Sequence, residues 1–394
     1  MRSTLRLFAF LFVLVFALTA CTSDGGGTDD PTDGAPTDEA IPDPTGTDVV
    51  LDQPTEPEET DEPPAGDTGG DLLATVLERS NLVCGGNDAV PGFGFTDEAG
   101  EFSGFDIDFC RAIAVALFND PEAVDIRALT ADQRFTALQS GEVDVLIRNT
   151  TWTSTRDGSE GATFLHTTFF DGQGMMVRAD AGFTTLEDMT DTTICVLSGT
   201  TTELNLASRF NAGGIAYEPL PFEDNDTLQQ AFIEERCDGW TSDKSQLAGV
   251  RSNFPEDQGG PDSLVILEET FSKEPLGPVV RDGDSQWAQI VDWVVIATIQ
   301  AEEFGITSDN VEEMKASEDP EILRFLGQTG EDGATYDSGL GFEDPEWAAN
   351  VIAAVGNYGE IYDRNVGPGT PLNLDRGLNS LWTEGGLLYP PPYR

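Results

Sequence analysis

The chain has 394 residues, of which 20 are basic and 72 acidic, giving a formal net charge of −52 at pH 7. That length predicts two or three domain-sized units, and so strong a negative field argues against nucleic acid or anionic lipid surfaces as partners. His166 is the only histidine, so a Ser-His-Asp triad or a multi-histidine metal site is excluded unless His166 takes part. Its neighbours Phe164, Leu165, Phe169 and Phe170 mark it as a packed structural residue. The only lysines are Lys244, Lys273 and Lys315. Acidic, lysine-poor surfaces also occur in proteins working at high salt, a choice that composition leaves open.

Arg2 and Arg6 precede an apolar run from Leu7 to Leu18, the shape of a secretory signal over residues 1–20. The run is short for a transmembrane span. It ends in Leu18-Thr19-Ala20-Cys21, which resembles the lipobox of bacterial lipoproteins, where the cysteine is acylated; an ordinary signal peptide with an incidental cysteine is the alternative. Residues 21–70 are then rich in Asp, Glu, Pro, Thr and Gly, with no Lys or Arg. Such a segment cannot bury enough apolar surface to offset its ordering entropy. It is expected to be a disordered tether, with a root-mean-square reach of roughly 40 Å.

From Asp71 the pattern becomes that of an α/β fold. A short amphipathic helix (71–80) and a strand (82–84) lead into the glycine-rich stretch Gly85 to Phe95. This stretch lacks a Walker ending and does not open as Gly-x-Gly-x-x-Gly onto a helix, so it is not read as a phosphate cradle. It is expected to present Phe93 or Phe95 to an apolar ligand surface. A helix over 104–118, a strand over 124–128 and a further helix–strand unit complete a βαβ succession. That unit opens with the capping-box pattern Thr130-Ala-Asp-Gln133, stops near Gly141, and continues as the buried strand Val143, Val145, Ile147. The strand runs into the turn Asn149-Thr-Thr-Trp-Thr-Ser-Thr-Arg156. In open α/β sheets, ligands sit beyond the carboxyl ends of the strands. Thr151, Thr153, Ser154 and Arg156 would offer donors and a planar cation there, suited to a carboxylate. The same turn also fits a surface segment whose arginine makes a local salt bridge.

Further on, Val196 to Leu206 reads as a strand, a glycine turn and a threonine-rich helix start, whose free N–H groups favour an anion. A helix over 226–236 buries Leu228, Ala231 and Phe232, and the short strand Cys237 to Asp243 follows. Three strand ends thus offer an arginine, a helix N-terminus and a carboxylate. Two of these suit an α-carboxylate and one an α-ammonium, the pair carried by a zwitterionic amino acid. Residues 284–394 read as covering helices, with stripes at Trp287, Ile290, Val294, Ala297 and Ala301, at Trp347, Val351 and Val355, and at Leu374, Leu378 and Leu381. The terminal Tyr389-Pro-Pro-Pro-Tyr-Arg is expected to lie extended over the domain, with a polyproline ligand as the alternative.

Several of these stretches recur in one family. Gly104-Phe-Asp-Ile-Asp, Leu138-Gln-Ser-Gly-Glu-Val-Asp-Val, Thr153-Ser-Thr-Arg156, Ser198-Gly-Thr-Thr-Thr and Asp238-Gly-Trp-Thr-Ser-Asp243 resemble the polar amino-acid-binding proteins of ABC importers. Longer matches resemble the general L-amino-acid-binding subgroup: Arg148-Asn-Thr-Thr-Trp-Thr, Phe170 to Gly174, Thr200 to Leu206, Ser272 to Pro278 and Val355 to Ile361. The resemblance spans essentially 71–394. It implies a two-lobed, type II periplasmic-binding-protein fold, each lobe a central sheet flanked by helices, with hinge crossovers near Gly174–Arg178 and Ser272–Val280. The first lobe is then 71–175 with 276–394, including a helical C-terminal extension, and the second is 176–275.

By the match, Arg156 holds the ligand carboxylate, helped by N–H and hydroxyl groups at Thr151, Thr200 and Thr201. Asp243, with a carbonyl near Asn149, holds the ammonium. Val90 stands where many smaller relatives place a stacking aromatic, which leaves Phe93 as the expected pocket wall. The resemblance implies a non-enzymatic, monomeric, exported lipoprotein without cofactor or metal, anchored through Cys21 at the outer face of the membrane. Its partners are a free L-amino acid and the permease subunits of the importer. The rivals are a periplasmic enzyme of the same fold, resembling cyclohexadienyl dehydratase, and a ligand sensor for a signalling receptor. Exported chains keep disulfides, and a bond across the lobes would obstruct closure. Cys84–Cys110 and Cys195–Cys237 are therefore the expected pairs, with four reduced buried thiols as the alternative.

Overall fold

The computed structural model describes residues 72–329, Tyr336 and residues 338–393. The signal segment, Cys21 and the acidic tether expected over 1–70 lie outside the described residues. Two five-stranded sheets carry the rest. In the first, the spatial order is Val124–Ala128, Leu82–Gly86, Val145–Leu146, Val279–Arg281, Ala162–Phe164. The first three strands are parallel, and Val279–Arg281 runs antiparallel to both its neighbours. Leu82, Cys84, Val145, Leu146 and Val279 are all buried, as expected of central strands covered on both faces.

The helix Phe105–Phe118 lies over this sheet with the long helix Ser285–Glu303 and the helix Trp347–Val355, and their apolar stripes merge in one core. The capping box before the helix Arg134–Ser140 forms as the sequence predicts. Gln133 N–H donates to Thr130 Oγ1 (3.3 Å) and Thr130 N–H to Gln133 Oε1 (3.2 Å), and Gly141 ends the helix at φ 75°.

The second sheet repeats the plan in the order Tyr217–Phe222, Thr192–Leu197, Gly239–Asp243, Gln173–Arg178, Leu264–Ile266. Its first three strands are parallel, and Gln173–Arg178 runs antiparallel between Gly239–Asp243 and Leu264–Ile266. Separate apolar clusters sit around Trp240 and Phe232, and around Phe210 and Leu186. The chain passes between the two sheets in the segments Phe169–Asp171 and Glu274–Leu276, which pair antiparallel as a small ribbon. The first crossing, expected near Gly174–Arg178, lies just ahead of that segment. Those residues instead belong to the second sheet, because Met175, Met176 and Val177 form a continuous apolar run buried between its faces. The second crossing lies within the expected Ser272–Val280, of which Val279 and Val280 already pair in the first sheet.

Two further expectations differ. The glycine-rich stretch after Gly86 folds into a three-stranded sheet, Ala89–Val90, Gly94–Thr96 and Phe102–Ser103, with strands too short for periodicity to reveal. Phe93 does not form a pocket wall; it is 1 % exposed, with its ring centroid 5.1 Å from that of Phe169 and 5.8 Å from that of Phe105. Gly104, at φ 131°, allows this approach, since a Cβ there would meet the Phe93 carbonyl oxygen at 2.2 Å. The same carbonyl accepts the Asp106 N–H at 3.0 Å, which holds Phe93 against the helix start.

The stripe Leu374, Leu378, Leu381 is not a helix face. The segment contains only a 3-10 turn, Gly377–Asn379, and Leu378 is 56 % exposed. The tail does lie over the first lobe, with Tyr393 buried against Trp293, Phe325 and Trp347. Cys84 bonds to Cys110 and Cys195 to Cys237, each pair within one lobe.

Candidate functional site

The cleft between the two sheets is built at their strand ends. In the first lobe, the strand Val145–Leu146 is followed by Arg148 and then Asn149, which adopts φ 32°. Positive φ is uncommon outside glycine, though asparagine tolerates it. It lets Asn149 act in several directions. Its N–H donates to Asp106 Oδ2 (2.7 Å) and its Oδ1 accepts from Asn87 Nδ2 (2.6 Å). Its Nδ2 reaches across the cleft to Asp243 Oδ2 (3.1 Å) and Gln246 Oε1 (3.2 Å). Thr153 caps the short helix Ser154–Ser159 by accepting the Arg156 N–H (3.2 Å). That cap places Arg156 in the first turn, where Nη1 donates to the Thr151 carbonyl (3.0 Å) and Nη2 to the Gly199 carbonyl of the second lobe (3.4 Å). Among the described residues Arg156 has no carboxylate partner, so the surface-salt-bridge alternative does not hold.

In the second lobe, Thr200 caps the helix Thr201–Gly213, its Oγ1 accepting the Glu203 N–H (3.1 Å) and donating to the Leu197 carbonyl (2.6 Å). Thr201 Oγ1 lies 3.3 Å from Thr151 Oγ1 across the cleft and donates to Glu274 Oε2 (2.9 Å) on the crossing segment. The strand Gly239–Asp243 is buried throughout and ends in Asp243, whose Oδ1 has no hydrogen-bond partner. Gln173 braces the floor, donating to the Thr202 carbonyl (2.8 Å) and Thr241 Oγ1 (2.9 Å).

Three guanidiniums face this space: Arg134, Arg148 and Arg156 are 3 %, 6 % and 8 % exposed. Burial lowers the pKa of all three, with Arg134 pushed well below the usual arginine range and Arg148 to about 10. Mutual repulsion among them adds to the shift at Arg134. Burial, with Asp171 and Glu274 nearby, pushes the Asp243 carboxyl well above the usual range. Behind the floor, burial raises Asp106 to about 7. The enclosed space is small, about 20 Å³ for the centre of a water-sized sphere. Groups from the two lobes therefore touch directly. Chemically, the arrangement offers desolvated donors and cations on one side and a desolvated carboxylate on the other. Among the described residues no three His, Cys, Asp or Glu side chains come together as metal ligands.

Arg156, Asp243, Thr151, Asn149, Thr200 and Thr201, all singled out from sequence, meet in this cleft; Phe93 does not. Asn149 also reaches into the cleft with its side-chain amide, toward Asp243 and Gln246. Arg134, Arg148, Ser242 and Gln246 also line it, beyond the residues that the sequence points to. For Arg134 the structure supplies a signal that the capping box at Thr130 hides. It is the first residue of its helix, where the macrodipole disfavours a cation. His166 is half-buried outside the cleft, its backbone N–H donating to Asp292 Oδ1 (2.7 Å).

Residues 82–308 match the model of the bacterial extracellular solute-binding proteins, family 3. The chain is 48 % identical to the general L-amino acid-binding periplasmic protein AapJ of Rhizobium johnstonii, over 82 % of this chain and 92 % of that one. It is 45 % identical to the glutamate/glutamine/aspartate/asparagine-binding protein BztA of Rhodobacter capsulatus, over 84 % and 95 % of the two chains. Among solved structures, an ABC transporter periplasmic binding protein from Brucella ovis with glutathione bound superposes with a TM-score of 0.79. It is 47 % identical, with 82 % of this chain and 100 % of that one covered.

Proposed function

The chain belongs to the bacterial extracellular solute-binding proteins, family 3, and from that premise we propose that it captures a free L-amino acid between its lobes. It then delivers the ligand to the permease of an ABC importer, tethered outside the membrane by a lipid on Cys21. The observation that carries this reading is the pairing of Arg156 with Asp243. They are two buried groups of opposite charge at strand ends of opposite lobes, and one Asp243 oxygen has no partner. Arg156 holds the α-carboxylate through its planar fork, with the Thr151 hydroxyl and the N–H groups at Thr200 and Thr201 completing the contact. Asp243 accepts from the α-ammonium, and Asn149 holds its other oxygen at 3.1 Å. A ligand bridging both lobes makes contacts in the closed state that an open state lacks, so it draws the equilibrium to closure.

The relatives above are named as binding proteins, which favours capture and release over chemistry. A calorimetric screen of the twenty amino acids, with glutathione added because the Brucella ovis relative holds it, tests the ligand class. Mass spectrometry of the released ligand tests the enzyme alternative. Absence of binding to every compound would defeat the reading, and recovery of a chemically altered ligand would replace it with an enzyme.

A further inference from the structure

The charges in the cleft do not balance for a neutral amino acid. Its lining carries three arginines and one carboxylate, Asp243. On the reading above, Asp243 takes the ligand's ammonium and Arg156 its α-carboxylate. Arg148 has its own partners, with Nε donating to the Leu129 carbonyl (2.6 Å) and the carboxylates of Asp88 and Asp106 nearby. Arg134 is left over. It is as buried as any of them, its Nε has no hydrogen-bond partner, and among the described residues it makes no ion pair. One terminal nitrogen donates to the Gly199 carbonyl at 3.3 Å, the oxygen that Arg156 also reaches at 3.4 Å. Of the carboxylates that act on it, Asp243 is committed to the ligand and Asp132 is exposed to water. An uncompensated buried charge is costly, and a helix N-terminus adds to that cost.

We propose that Arg134 forms a second anion subsite beside Arg156 and selects L-amino acids whose side chain carries a carboxylate. The inference rests on the amino-acid reading above and goes further by naming the ligand class. The side-chain carboxylate completes the Arg134 guanidinium through Nε and the terminal nitrogens in the planar geometry that arginine favours. The amide of glutamine or asparagine has the same shape but supplies no charge, so it leaves the surplus cation unpaired.

Calorimetric titration of the intact protein and of Arg134→Gln with L-glutamate, L-aspartate and their two amides tests the proposal. The parent should bind at least one of the acids roughly 30-fold or more tightly than the matching amide, the loss expected when one partner of a buried charge pair is missing. In Arg134→Gln that preference should vanish, through a larger loss of affinity for the acid than for the amide. A parent that binds acid and amide equally, or an Arg134→Gln variant that keeps the preference, overturns the subsite. The parent's acid-to-amide ratio decides even if the variant does not fold. Binding of amides without acid preference overturns only this inference, whereas a parent that binds none of the four and none of the other amino acids overturns the general reading with it.

Discussion

Asp243→Asn should abolish tight capture while leaving the ligand-free protein at least as stable as its parent. The side chain is buried, one oxygen accepts from Asn149 Nδ2 at 3.1 Å, and the other has no partner. Asparagine keeps the shape and the acceptor but not the charge. Removing one partner of a buried charge pair costs about 2–5 kcal/mol, or roughly 30- to 4,000-fold in Kd. Without ligand the sign reverses, because burial has raised the Asp243 pKa and the ionised carboxylate is then a cost to the fold. Neutralising it removes that charge-burial cost but leaves a polar amide in the same unpartnered position, so the gain should stay below about 1–3 kcal/mol, the typical penalty for an unsatisfied buried group. Thermal melts with and without ligand at pH 7, beside calorimetric titration, separate the two effects. A higher ligand-free melting temperature with little ligand-induced shift is the expected pattern. Parent-like affinity, or a variant that melts lower than the parent without ligand, would refute the reasoning. The parent's affinity should also fall as pH drops through the raised Asp243 value, above the ordinary carboxylate range, because the protonated acid no longer attracts an ammonium.

Arg156→Ala should weaken binding at least ~30-fold with unchanged far-UV dichroism. Arg156→Lys should fail nearly as badly, because lysine cannot reproduce the bidentate fork; near-parent titration curves for the lysine variant would remove Arg156 from the site. Asp106, raised by burial to about 7 in the fold from the ordinary 3.8, contributes stability that is fully present below 3.8 and lost as pH rises through about 7. Asp106→Asn should therefore gain stability over the parent progressively between pH 4 and 7 and hold that gain above it. A melting-temperature difference that does not change with pH would contradict this. Cys21→Ser should move the protein from the membrane fraction to the soluble one; unchanged partitioning would end the lipid-anchor reading.

The parts of this molecule legible in the sequence are those specified by near neighbours. Thr130 and Gln133 announce a helix start because the capping bonds close within three residues, and Leu82 to Cys84 or Val143 to Ile147 announce buried strands by their run of apolar side chains. Arg156 and Asp243 are legible because each follows such a strand, and the cleft lies where strands end. What stayed hidden depends on distant parts of the chain. Asn149 bridges the lobes only because its backbone adopts φ 32° and the second lobe is closed over it. Phe93, between two glycines, has the local signature of an exposed loop residue. Its burial is set by Gly104 and Phe169, which no local pattern connects to it. Leu374, Leu378 and Leu381 share helical spacing, yet the backbone around Gly377 supports only a single tight turn.

The topology of the first sheet has a consequence for how the protein is made. Val279 pairs with both Leu146 and Phe164, so this sheet waits for a strand encoded after the whole second lobe. The second sheet, from Gln173 to Ile266, is one uninterrupted stretch of chain. Closing the longer loop costs more entropy and comes later, so a chain made N-terminus first should complete the inserted lobe while the enclosing one is still unfinished. Pulsed hydrogen exchange during refolding should accordingly protect the amides of Cys195 and Trp240 before those of Leu146 and Val279. Protection in the reverse order would mean that the Cys84–Cys110 half organises the chain first. Until the late strand arrives, Leu146 and Phe164 present an open β-edge, and the nascent molecule is most exposed there to pairing with another copy of itself.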